Sequence, residues 1–149
     1  MFKKKIVFSA ELENKNISSL ATNLRKISEF GYVDEDAIRE ALAKEGEFNF
    51  IDGNSGIKVD FWVKGKDVLN AEGFRRCVLK DIAGQKINFI SPEDLILSKL
   101  KWYKISSSSR HLEDIDSIIK ISGEILDKKY LKKMSIKSNL SDELEKILK

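Results

Sequence analysis

The sequence predicts an α+β domain, on three observations. A short apolar run opens the chain and two stretches of helical periodicity follow it. Four further short segments then have strand character, paired across two turn sequences. From Ser91 onward every segment reads as helix. The architecture this order predicts is a small mixed β-sheet with helices packed on it and a helical C-terminal half.

Residues 5–12 read as the first strand. Asn16 is placed to cap a helix over residues 17–30, in which Ile17, Leu20, Ala21, Leu24 and Ile27 recur at helical spacing before Gly31 ends it. Asp34 caps the next helix. Glu35 and Asp36 lie in its first turn beside the positive end of the dipole. Ala37, Ile38, Ala41 and Leu42 form its apolar face, and Gly46 closes it. Residues 47–51 and 57–63 flank Asp52-Gly53-Asn54-Ser55-Gly56, which is turn chemistry, and should pair as a hairpin. A short helix is expected over residues 67–74. Residues 77–81 and 86–90 flank Ile82-Ala83-Gly84-Gln85 as a second hairpin. Ser91 is a strong N-cap, with Pro92 at the first helical position and Asp94 completing a box-like cap for a helix running to 105. The serines at 106–109 make a polar break before a helix over 110–121 that stops at Gly123. Asp127 and Ser141 are expected to cap two closing helices.

The strand at 57–63 alternates apolar and polar over its whole length. Ile57, Val59, Phe61 and Val63 face the core, while Lys58, Asp60 and Trp62 turn the other way. A lone carboxylate there is either solvated or placed, and the strand by itself favours the solvated reading, because one face of such a sheet commonly meets water.

At 149 residues the chain reads as one domain, with its sheet in about residues 1–90 and helices in 91–149. An apolar fraction of 42% and a charged fraction of 34% are those of a soluble protein, and no run approaches the ~18 apolar residues of a membrane helix. One cysteine, Cys77, excludes an internal disulfide and a thiolate metal cluster. A cytoplasmic protein without a membrane partner is expected. The net charge of +3 does not by itself point to nucleic acid.

The segment from Ser91-Pro92-Glu93-Asp94-Leu95-Ile96-Leu97-Ser98-Lys99 through Trp102-Tyr103 to Arg110-His111-Leu112-Glu113-Asp114 resembles the AbiEii/AbiGii toxin-like family of the minimal nucleotidyltransferases, which share a DNA polymerase β-like fold. The likeness reaches back through Phe48-Asn49-Phe50 and Lys58-Val59-Asp60-Phe61 and covers roughly residues 6–122. It implies transfer of a nucleoside monophosphate from an NTP to a hydroxyl on RNA, a protein or a small molecule, with Mg²⁺ held by three carboxylates. Asp60 falls where the third of these belongs, Lys99 matches the lysine near the nucleotide phosphates, and Arg110 and Asp114 match the last motif. The family's Gly-Ser motif and Asp-x-Asp pair have no counterpart. Lys3 and Lys5 stand in the two Asp positions, and cations there repel Mg²⁺. The resemblance therefore implies a chain cut short at its N-terminus or one with a degenerate centre.

Plainer readings accompany each residue. Lys99 suits a snorkelling lysine on an amphipathic helix. Arg110 and Asp114, four apart, suit a helical ion pair. Trp102 and Tyr103 suit core packing, His111 a surface position, and Cys77 a core thiol. Lys128, Lys129, Lys132 and Lys133 suit a solvated face, with a salt-sensitive polyanion contact as the alternative. Beside the nucleotidyltransferase stand a non-catalytic nucleotide- or partner-binding module, homodimerisation included, and a toxin–antitoxin component.

Overall fold

The computed structural model describes residues 5–148, and of Lys5 the backbone alone. Lys3 lies outside the described residues, as does the Lys5 side chain. The architecture is α+β, as the residue pattern predicts. The chain divides into two compact units, Met1–Gly65 and Lys66–Lys149.

The first unit holds β1 (Lys5–Ala10), α1 (Ile17–Ile27), α2 (Glu35–Lys44), β2 (Glu47–Ile51) and β3 (Lys58–Val63). The strands form one mixed sheet in the order β1-β3-β2, with β3 in the middle, parallel to β1 and antiparallel to β2. The register sets Phe8 and Phe48 on either side of Phe61. The three rings stack across the sheet, with centroids 5.5 and 5.0 Å apart. Ile17, Ala21 and Leu24 of α1 and Ile38 and Ala41 of α2 cover that face, packing with Phe48, Phe50 and Val63 into one core.

Local chemistry accounts for the element ends. Asp34 accepts the Asp36 N–H as the N-cap of α2. Asn16 makes no such bond: it closes a preceding 3₁₀ turn and is itself helical, so its expected capping role falls away. α1 stops at Ile27, short of the expected 30. Ser28 turns extended there, and its carbonyl takes the Gly31 N–H at 2.9 Å. The turn between β2 and β3 needs Gly53, because a Cβ there would lie 2.2 Å from the Phe30 carbonyl oxygen.

The second unit holds α3 (Val68–Arg75), β4 (Val78–Ile82), β5 (Gln85–Phe89), α4 (Pro92–Ser106), α5 (Ser109–Ser122), α6 (Lys128–Lys137) and α7 (Ser141–Ile147). β4 and β5 pair only with each other among the described residues. Ala83 and Gly84, at φ 51° and 80°, make the two-residue turn whose twist suits a hairpin. The helices enclose Leu69, Ile96, Leu97, Leu100, Ile115, Leu131, Met134, Leu140 and Leu144. Asp67 caps α3 and Asp127 caps α6 with their own carboxylates. Ser141 does not cap α7. It is the first helical residue, and the buried Leu140 precedes it, fixed by its N–H on the Ser135 carbonyl at 2.7 Å.

A polar cluster lies inside this unit. The Asp94 side chain is 2% exposed. It accepts from Ser91 Oγ at 2.6 Å, from Tyr130 Oη at 2.6 Å and from Arg76 Nε at 3.2 Å. The Arg76 guanidinium also lies over the Tyr130 ring, 3.7 Å from its centre, and 3.6 Å from the buried Glu93 carboxylate. Glu93 in turn accepts the Asp127 N–H at 2.9 Å. The cluster thus ties α3, α4 and α6 together through charge-assisted bonds.

Two outcomes follow. Phe48→Ala removes the middle of the first core and should cost about 3–4 kcal/mol in chemical denaturation. Tyr130→Phe should cost about 2 kcal/mol at neutral pH, the worth of a hydrogen bond to a charged group. Burial, and then the bond to Asp94, hold the Tyr130 hydroxyl above the ordinary tyrosine value. Its contribution is full below the unfolded-state pKa of about 10 and is lost as the pH rises toward the folded value. Denaturation between pH 9 and 11 should therefore show a shallower loss in Tyr130→Phe than in the parent chain. A parallel pair of pH curves would contradict this account.

Candidate functional site

Asp60 sits in the centre of β3, the middle strand, and its residue exposure is 0%. The solvated-strand reading is therefore wrong. The face of β3 away from the aromatic core is not open to water at this position, although Lys58 beside it is. Removing a carboxylate from water costs several kcal/mol that partners must offset. Lys58 Nζ lies 3.2 Å from Asp60 Oδ1. In register, Asp60 stands opposite Val7 on β1 and Asn49 on β2, so Asn49 shares its face. The Asn49 amide oxygen is buried and accepts no hydrogen bond among the described residues. Asn49 is a residue that the pattern did not single out. Only the strand register brings it beside Asp60.

Mg²⁺ takes oxygen ligands, often one or two carboxylates with substrate phosphates completing the shell. Asp60 and Asn49 offer two oxygens of that kind on one face. They do not fit a two-metal centre, which needs several carboxylates to balance four positive charges. Among the described residues no three metal-ligating side chains converge.

Lys99, Arg110 and Asp114 belong to the second unit. Lys99 is in the middle of α4, and its Nζ meets Asp114 Oδ2 of α5 at 2.6 Å. The i, i+4 pairing expected of Arg110 with Asp114 is not what forms. Asp114 turns to α4, and Arg110 is exposed in the first turn of α5, without a salt bridge among the described residues. The packing of α4 on α5 decides the choice, since it brings the Lys99 ammonium closer to Asp114 than a neighbour on the same helix. Both partners are substantially exposed, at 30% and 51%, so the pair is worth no more than about 1 kcal/mol. A doubly charged phosphate can take Lys99 from Asp114 at little cost.

His111 lies beside this pair, half-buried instead of on the surface, with its Nδ1 shielded from water. Burial, and then the Lys99 charge, hold its pKa below the ordinary histidine value, against the pull of Asp114. Arg110 and the positive end of the α5 dipole add to Lys99 as cationic features of this helix pair.

Cys77 is free and half-buried, its thiol donating to the Gly73 carbonyl at 3.2 Å. Burial, with Asp94 assisting, raises its pKa, which makes it a poor nucleophile. Trp102 and Tyr103 are both half-buried on α4. Among the described residues, no helix is long and apolar enough to cross a membrane. No family model, no curated protein and no solved structure matches this chain.

Proposed function

We propose that this chain is a nucleotide-binding protein of the minimal nucleotidyltransferase superfamily, resembling its AbiEii/AbiGii toxin-like members. In this reading Lys99 and Arg110 contact the phosphates of an NTP, with Asp114 holding Lys99 in place until the nucleotide arrives. Separately, in the first unit, Asp60 is the carboxylate that would hold Mg²⁺, with Asn49 opposite it in register, and that metal would supply Lewis-acid chemistry. Transfer of the NMP to RNA or protein is the reaction of a complete centre, and among the described residues Asp60 is the one carboxylate that matches it. The cytoplasm is the proposed compartment.

One observation carries the reading: a carboxylate fully buried in the middle strand of a mixed sheet, at the position the resemblance assigns to a metal ligand. A sheet built only for stability gains nothing from placing an anion there, because an apolar residue of similar size is commonly as good or better. The exchangeable Lys99–Asp114 pair supports the phosphate role independently.

Calorimetric titration with ATP and GTP in Mg²⁺ tests this. Lys99→Met should weaken NTP binding about tenfold, or about 1.4 kcal/mol. Asp114→Asn frees Lys99 and should leave affinity equal or improved, which separates loss of the cation from loss of the pair. Asp60→Asn should weaken the binding of Mg²⁺ itself, titrated without nucleotide. Failure of the parent chain to bind any NTP with or without Mg²⁺ would sink the proposal.

A further inference from the structure

α6 carries Lys128, Lys129, Lys132, Lys133 and Lys137 and no acidic residue. Five positive charges on one ten-residue helix exceed the formal net charge of the whole chain, +3. All five lysines are exposed, and among the described residues none makes a salt bridge. Some exposed lysines elsewhere do pair, Lys15 with Glu13, Lys44 with Glu40 and Lys120 with Asp116, but α6 gathers five without a salt bridge on one helix. At 100° per residue the five positions span half the helix circumference as a single stripe.

This arrangement opposes helix stability. Lys128 and Lys129 occupy the first turn, where the positive end of the dipole disfavours cations. Lys128 and Lys132, like Lys129 and Lys133, are like-charge pairs four apart, which are destabilising. Lys133 and Lys137 also act on Glu72 of α3, whose pKa is lowered by its bond to Arg75 first and by these lysines among lesser causes. That carboxylate is engaged by Arg75 at 2.7 Å and leaves the stripe unneutralised.

The stripe leads into a cleft of about 390 Å³ at its C-terminal end. Lys101, Lys104 and Lys137 rim it, and Val68, Ile105 and Leu140 contribute apolar lining. Lys101 and Lys104 are held by Asp67 and Glu143, so among the described residues Lys137 is the rim cation without a salt bridge.

We infer that the α6 lysine stripe is a docking surface for the phosphate backbone of a nucleic acid, with the adjoining cleft receiving an unstacked base. Lysines four apart are separated by about 6 Å along the helix. The stripe therefore presents its cations in a line, as a nucleic acid strand presents its phosphates. An anionic membrane fits less well. Peripheral helices insert an apolar face, and here Leu131 and Met134 are 0% and 2% exposed in the core, which leaves Ile136 as the exposed apolar side chain of α6. The surface shares no residue with the proposed NTP contacts at Lys99 and Arg110, although RNA is the acceptor it would hold if that reading is right.

Fluorescence anisotropy with a labelled 20-nucleotide single-stranded RNA, over a range of salt concentrations, tests the inference. The triple variant Lys128→Gln, Lys129→Gln, Lys132→Gln should bind at least tenfold more weakly at low salt. Its log–log salt slope should fall in magnitude by about 2, since each phosphate contact to a single strand contributes about 0.7. Circular dichroism should show an intact fold, since the changes relieve the dipole. A second triple variant with the same charge loss, at the paired Lys15, Lys44 and Lys120, should bind like the parent. Equal losses in the two variants would reduce the effect to net charge and overturn the inference. So would an absence of salt-dependent RNA binding in the parent, or binding only to phosphatidylserine vesicles. ATP titration of the same α6 variant separates the two proposals, because the stripe can be lost with NTP affinity unchanged, and RNA binding can persist where no NTP binds.

Discussion

The carboxylate of Asp94 organises the second unit. It begins α4 as part of the Ser91 cap, and it ends as the common acceptor for the residue after α3, the cap of α4 and a side chain of α6. A buried anion imposes a strict condition, since any missing donor leaves a charge without water or partner. Ser91, Arg76 and Tyr130 meet that condition together. Arg76 is in addition held by the face of the Tyr130 ring and by Glu93. Because Glu93 accepts the Asp127 N–H, the same cluster fixes where α6 begins. The direction of α6, and with it the lysine stripe, depends on this polar centre as well as on the apolar core around Leu131 and Met134.

The first unit buries a carboxylate under different conditions. Asp60 has no capping role and lies in a strand, where its backbone groups are used by the ladders to β1 and β2. Its cationic neighbour, Lys58, is on the same strand two residues away, so the pair arises from the period-2 repeat itself. Asp94 is surrounded by groups gathered from distant segments, which is the pattern of a structural centre. Asp60 is placed on a face with Asn49, whose amide oxygen retains accepting capacity. Buried polar groups with capacity to spare are common where a ligand completes the set.

The lysines of α6 and the pair on α4 and α5 differ in a related way. Lys99 already has an anion, and in the proposed reading it would exchange that partner for a multiply charged group. The α6 lysines have no salt bridge among the described residues, and a polyanion condensing on them would relieve their mutual repulsion. The first is suited to a compact ligand and the second to an extended one.

The element order was legible in the sequence because caps, turns and periodicity are local. Asp34, Asp67, Asp127 and Ser91 act as N-caps, and the Ala83-Gly84 turn closes its hairpin. Asn16 and Ser141 show where that reasoning stops: the right residue type lies beside a helix whose start is set by neighbouring packing. Of the candidate site residues, the sequence identified Asp60, Lys99, Arg110 and Asp114 but not their surroundings. Alternation placed Asp60 off the aromatic face and could not tell water from protein on the other side. Spacing offered Asp114 a partner on its own helix, and packing supplied one on another. Asn49, Arg76 and Tyr130 carried no signal, because their meaning lies in strand register and in contacts across as many as 36 residues. The sequence by itself thus determined which segments are helix and strand and which side chains carry charge. Only the tertiary structure decided which charges are buried, which are paired and which are left facing solvent, because desolvation and ion pairing depend on groups brought together from distant parts of the chain.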